Sequence, residues 1–73
     1  MIDTVLFAHR IGSLRRAADL TQKDLARVCG VTSQAVSKWE RGISGPDIQI
    51  LDELAAALGV DLQELLLPQV RRG

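Results

Sequence analysis

The sequence predicts an all-α fold, a compact five-helix bundle. Three observations carry that prediction. Apolar residues recur at helical spacing in five separate segments. Cap and stop residues bound those segments. The aromatic fraction is 3%, Phe7 and Trp39, within an apolar fraction of 47%, so the core must be built from Leu, Ile, Val and Ala. A small aliphatic core of this kind suits packed helices better than a sheet. Seventy-three residues make one domain, near the lower limit for a chain that folds alone.

Helix one is predicted over residues 1–19. Phe7, Ile11, Leu14 and Ala18 form one stripe at intervals of four, three and four, with Val5 and Leu6 beside it. His9, Arg10, Ser13 and Arg16 fall on the other, solvated side. Asp3 is the expected N-cap, with Thr4 as the alternative. Gly12 inside the helix costs about 1 kcal/mol against Ala, and its missing side chain leaves room for a second helix to approach.

Helix two is predicted from Gln22 to Cys29. The Thr21 hydroxyl is placed to accept from the Asp24 amide, and the Asp24 carboxylate to answer the Thr21 amide, a reciprocal cap. Leu25 and Val28 are expected to face inward, with Ala26 and Cys29 where another helix crosses; Lys23 and Arg27 share the outer face. Gly30 closes the helix, because it takes a left-handed conformation at little cost. Val31 fills the turn. Thr32 caps helix three, which runs to about Arg41 and is ended by Gly42, with Ile43 folding back over its last turn. Val36 and Trp39 are three apart and share the inner face. Ser33, Gln34, Ser37 and Lys38 then face outward, all polar and able to hydrogen-bond. A rigid helix offering such side chains outward is what reading a DNA major groove requires.

Ser44-Gly45-Pro46 reads as a turn. Asp47 is the expected cap of helix four, which continues to about Leu58 with Ile48, Leu51, Leu54, Ala55 and Leu58 as its apolar stripe and Ile50 near it. Gly59 stops that helix. Asp61, with Glu64 three residues on, caps a short fifth helix to about Leu67. Pro68 ends the pattern, so the expected domain core is residues 5–67, with 68–73 as a frayed tail. Leu62, Leu65, Leu66, Leu67 and Val70 exceed what one short helix needs for its core. Part of that set either forms a self-association face or simply closes the bundle.

The formal net charge is zero, but its distribution is uneven. Residues 1–41 hold seven Lys or Arg against four acids, and residues 42–73 hold two against five. One basic and one acidic side follow. Cys29 is the only cysteine and excludes an intramolecular disulfide, which fits a reducing compartment; it is expected to be a core filler. No apolar run approaches membrane-spanning length and no signal-peptide pattern opens the chain, so a soluble cytoplasmic protein is expected. One His, one Cys, no Tyr, no phosphate loop and no metal-ligand spacing argue against an enzyme, a metal or a cofactor.

The segments LTQKDLA at 20–26, GVTSQAVSKWERG at 30–42, Pro46, and LDELAAALGVDLQELL at 51–66 resemble, in this order and spacing, the helix-turn-helix domain of the phage-repressor and Cro type, also called the xenobiotic-response-element family. The resemblance covers about residues 7–67. It departs at Asp19, where the family often has Gly. It implies a lambda-repressor-like fold of five helices, and binding to double-stranded DNA, usually as a dimer on a two-fold operator. By position it implies phosphate contacts from Gln22, with Lys23, Arg15 and Arg41 near the backbone. It implies base contacts from Ser33, Gln34 and Lys38, with Ser37 beside them: Gln34 suits adenine, and Lys38 guanine or a phosphate. It also implies an ion pair, Arg15 with Glu40, joining helix one to the recognition helix.

The leading function on these grounds is a transcriptional repressor that occludes its operator as a homodimer. The alternative is a protein-interaction module, or the DNA-binding part of an antitoxin or larger complex with a protein partner.

Overall fold

The computed structural model describes residues 4–66. It holds five helices: α1 Thr4–Ala17, α2 Gln22–Cys29, α3 Ser33–Glu40, α4 Ile48–Leu58 and α5 Leu62–Leu66. No strand occurs among the described residues. The described fold is all-α, as expected. None of its helices is long and apolar enough to cross a membrane. Asp3, Leu67, Pro68 and the expected tail lie outside the described residues.

The helices pack around α2, which meets α3 and α4, while α1 meets α3 and α5 and α4 meets α5. One cluster forms the core: Phe7, Ile11, Leu25, Ala26, Cys29, Val36, Trp39, Leu54, Ala55, Leu58 and Leu65. Ile11, Leu25, Leu54, Leu65 and Val36 are sealed completely. Leu14, Val31, Ile50, Leu51 and Leu66 pack partly against the cluster. Ala8 joins the buried set although it lies beside the expected stripe of α1.

Four helix ends use the same device. A residue in the left-handed conformation follows α1, α2, α3 and α4: Asp19 at φ 64°, Gly30 at 72°, Gly42 at 75° and Gly59 at 76°. After α2, the Gly30 amide donates to the Arg27 carbonyl (3.3 Å) and the Val31 amide to the Ala26 carbonyl (2.9 Å). Two carbonyls that the helix leaves open are thereby satisfied, and the chain turns sharply into α3. Only the first of the four ends uses a residue other than glycine there.

Several expectations need correcting. Helix one stops at Ala17, and Ala18 is exposed, because the left-handed Asp19 turns the chain before another turn forms. Val5 is 72% exposed and Leu6 44%, so they lie outside the buried stripe of α1. Val28 is 57% exposed, not inward. The buried face of α2 is Leu25, Ala26 and Cys29, and position 28 lies about 100° around the helix from its centre. Ile48 is 82% exposed: it opens α4 well over a turn before the buried Leu54, Ala55 and Leu58. Asp47 stands at the N-cap position, yet its side chain makes no cap hydrogen bond. Ile43 folds back through its backbone, whose amide donates to the Lys38 carbonyl at 3.0 Å, while its side chain stays 61% exposed. Leu65 is fully buried and Leu66 packs on the core, so both close the bundle. Among the described leucines of α5, only Leu62 stays exposed.

Candidate nucleic-acid interface

The candidate interface comprises the first turn of α2, the turn at 30–32, and the outward side of α3. The Thr21 hydroxyl accepts from the Asp24 amide at 3.0 Å, and the Asp24 carboxylate accepts from the Thr21 amide at 3.0 Å. The Leu25 amide reaches the Thr21 carbonyl. The amides of Gln22 and Lys23, at the positive end of the helix dipole, remain open to an anion. In α3 the Thr32 hydroxyl accepts from the Ala35 amide at 3.1 Å, which leaves the Ser33 and Gln34 amides similarly open.

The Asp24 carboxyl is held below its ordinary value, first by the Thr21 amide, then by the Thr21 hydroxyl, with Arg27 adding a little. Its folded value lies below its unfolded one. The stability it contributes is therefore complete above the ordinary carboxylate range and is lost as pH falls through the depressed value. Urea midpoints measured in acid should fall less steeply for Asp24→Asn than for the native chain. Identical slopes would remove this cap from the acid response. Burial pushes the Cys29 thiol up, with the Glu53 carboxylate adding to it, so this cysteine is a packed apolar group rather than a thiolate.

On α3, Gln34 and Lys38 are exposed one turn apart, and Ser33 and Ser37 are half-buried beside them. Val36 and Trp39 occupy the opposite, buried face. Arg41 is exposed just beyond the helix, and its Nε donates back to the Ser37 carbonyl at 3.4 Å. Lys23 is exposed on α2 and Gln22 is half-buried.

Behind this surface, three helices converge on one carboxylate. Arg15 Nε lies 2.6 Å from Glu40 Oε2, and Arg15 Nη2 donates to Glu40 Oε1 at 3.2 Å. The Gln22 Nε2 donates to the same Oε1 at 3.1 Å. Arg15 Nη1 donates to the Leu20 carbonyl at 2.8 Å. The side chains of Arg15 and Glu40 are only 13% and 11% exposed. Every guanidinium nitrogen of Arg15 is thus engaged within the fold, and the group acts as a strut. A Cβ on Gly12 would meet Arg16 Nη1 at 3.3 Å and Glu40 Oε1 at 3.4 Å, so the carboxylate lies against the α1 backbone at this position. Helical spacing gives no sign of the Gln22–Glu40 bond or of the Leu20 carbonyl. Only the pairing of Arg15 with Glu40 was signalled, and by resemblance rather than by pattern.

Charge follows the same division. Helices α1 to α3 carry Arg10, Arg15, Arg16, Lys23, Arg27 and Lys38, whereas α4 and α5 carry Asp52, Glu53 and Glu64 and no cation.

Two short helices joined by a three-residue turn, the second braced from behind and polar in front, define a DNA-binding domain of the phage-repressor kind. The chain belongs to the helix-turn-helix family HTH_3, whose profile matches residues 11–65. It is a repressor-like, DNA-binding transcriptional regulator in class. It is 40% identical over 63 residues to an uncharacterised HTH-type transcriptional regulator, y4dJ, of Sinorhizobium fredii, covering 86% of this chain and 82% of that one. The restriction-modification controller protein C.AhdI of Aeromonas hydrophila is similar in structure, with TM-score 0.80 and 35% identity, covering 86% of this chain and 91% of the other. The P22 c2 repressor, in a structure with a synthetic operator, gives TM-score 0.77 and 32% identity, covering 82% and 91%. Four further relatives are longer: the match spans between 29% and 56% of their length. One of these is the antitoxin PezA of Streptococcus pneumoniae, 28% identical, with 84% of this chain and 39% of PezA covered.

Proposed function

We propose that this chain binds a specific double-stranded DNA site and represses transcription by occluding it, as a dimer on a two-fold operator. The observation that carries this reading is the outward face of α3. Gln34 and Lys38 stand exposed on a helix whose inner face is sealed by Val36 and Trp39 and whose end is fixed through Glu40. Gln34 reads adenine, and Lys38 takes guanine or a phosphate, with Ser33 and Ser37 beside them. The open amides at the start of α2, with Gln22, Lys23 and Arg41, hold the sugar-phosphate backbone and set the register. Arg15 acts from behind, because its guanidinium is already engaged.

Selection of duplexes from a random pool tests the reading, and recovery of a palindrome supports both site and symmetry. On the recovered duplex, Gln34→Ala should cost about 1–3 kcal/mol at one base pair. Removing Lys23 should instead weaken all sequences alike and reduce the salt slope by about one contact's worth. If Gln34→Ala binds the recovered duplex as tightly as the native chain, the base-reading role is wrong. Dimerisation draws on the exposed Leu62 edge of α5. A strict monomer by sedimentation at micromolar concentration counts against it.

A second reading, the DNA-binding part of an antitoxin or larger assembly, is supported by the longer relatives that this chain matches over only part of their length. A chain that binds no duplex by itself, yet binds once joined to a partner, would favour it.

A further inference from the structure

We propose that the corner Asp19–Leu20, which lies behind the interface, is a positioning element for DNA binding: it sets Arg15, through Arg15 it sets Glu40, and through Glu40 it sets Gln22 and the end of α3. The inference rests on the DNA-binding reading above.

Asp19 is the one described residue other than glycine with a positive φ, 64°, and it is exposed. Its side chain has no hydrogen bond or ion pair among the described residues, so the conformation is held by the backbone alone. The Asp19 amide donates to the Arg16 carbonyl at 3.0 Å and the Leu20 amide to the Arg15 carbonyl at 3.1 Å. This turn aims the Leu20 carbonyl at Arg15 Nη1, 2.8 Å away. One residue, Arg15, therefore grips Leu20 twice, by its own carbonyl and by its guanidinium.

A guanidinium is a rigid planar fork. Glu40 engages two of its nitrogens, on one edge, and Leu20 engages the third from another direction. Two directions fix the plane, whereas one leaves it free to tilt. Glu40 in turn accepts from Gln22 Nε2 at 3.1 Å, which leaves the second N–H of that amide for a phosphate oxygen. Gly12 bounds the carboxylate on the α1 side. Strain at the corner thus reaches the phosphate-facing amide through three successive contacts, without Asp19 touching DNA.

The test compares Asp19→Gly, Asp19→Ala and Asp19→Val on the duplex that the native chain selects from a random pool, at a temperature where each variant is folded. Glycine adopts the left-handed conformation freely, whereas a β-branched residue there is a severe outlier. Asp19→Gly should bind as the native chain does or better, Asp19→Val should bind about tenfold more weakly, and Asp19→Ala should fall between them. In the Glu40→Gln background, Asp19→Val should cost less than about twofold, since the relay is already broken there. The Arg15 Nε–H resonance should move toward that of the exposed arginines in Asp19→Val, move less in Asp19→Ala, and stay in place in Asp19→Gly. If Asp19→Val and Asp19→Ala lower the melting temperature while the folded chain binds unchanged, the corner only stabilises the fold and the proposal fails. Equal losses in both backgrounds overturn it as well. A native chain that selects no duplex overturns the DNA-binding reading, and the positioning role with it.

Discussion

Glu40→Ala should destabilise the domain by about 3 kcal/mol, one of the largest effects of any single change in this chain. The carboxylate anchors α3 to α1 through Arg15 and to α2 through Gln22. Its removal leaves a guanidinium that is 13% exposed with only the Leu20 carbonyl as partner. The cost is therefore mostly that of a stranded cation, not of a lost surface pair, for which about 1 kcal/mol or less would be expected. The two cases separate by experiment. Chemical denaturation at low and at high salt should give nearly the same loss for Glu40→Ala, because a shielded pair is poorly screened. A loss that vanishes in high salt would mark the pair as an exposed one. The double variant Arg15→Met with Glu40→Leu should recover much of the stability, since apolar replacement removes both charges together. It should not recover DNA binding, because Gln22 would still lack its orienting acceptor.

Trp39→Ala should cost about 3–5 kcal/mol, the usual range for emptying an aromatic site in a core. Trp39 is 4% exposed and lies in the same cluster as Val36, Leu25 and Leu54. A domain of this size has a total stability of roughly 4–11 kcal/mol. The variant should therefore lose a large share of that stability and melt more than about 10 °C below the native chain. In the native chain the single indole should emit as a shielded group and resist aqueous quenchers until the domain unfolds. A Trp39→Ala chain that melts within a few degrees of the native one would mean that this side chain is not a central element of the core.

The fold was legible where local rules act alone. Helix α2 starts and stops where Thr21, Asp24 and Gly30 place it, because capping groups and a left-handed glycine are local devices written as residue types. The burial of Val36 and Trp39 follows from their spacing on α3. Legibility failed where a neighbour decides. Val28 and Ile48 are apolar at helical intervals, yet no element lies over them, and periodicity does not say how wide a partner is. The early end of helix one was hidden for a related reason. An aspartate does not announce a left-handed conformation as a glycine does, although its place in the family pattern marked the position as unusual. For the candidate interface, the exposure of Gln34 and Lys38 opposite Val36 and Trp39 was legible, and what supports that face was not. Arg15 and Glu40 are 25 positions apart, and the Leu20 acceptor is a backbone atom that every residue possesses. Nothing in the order of side chains singles it out.

The excess of cations on α1 to α3, six against the carboxylates of Asp24 and Glu40, and the uncompensated carboxylates Asp52, Glu53 and Glu64 on α4 and α5 bear on kinetics as well as on contact. With zero formal net charge, the molecule feels little pull toward a distant polyanion, but its uneven ends feel a torque. Within roughly 8–10 Å of a duplex at moderate ionic strength, that torque rotates the domain before it lands. Fewer encounters then begin in the wrong orientation, and added electrolyte should slow capture of DNA even though the chain as a whole is neutral.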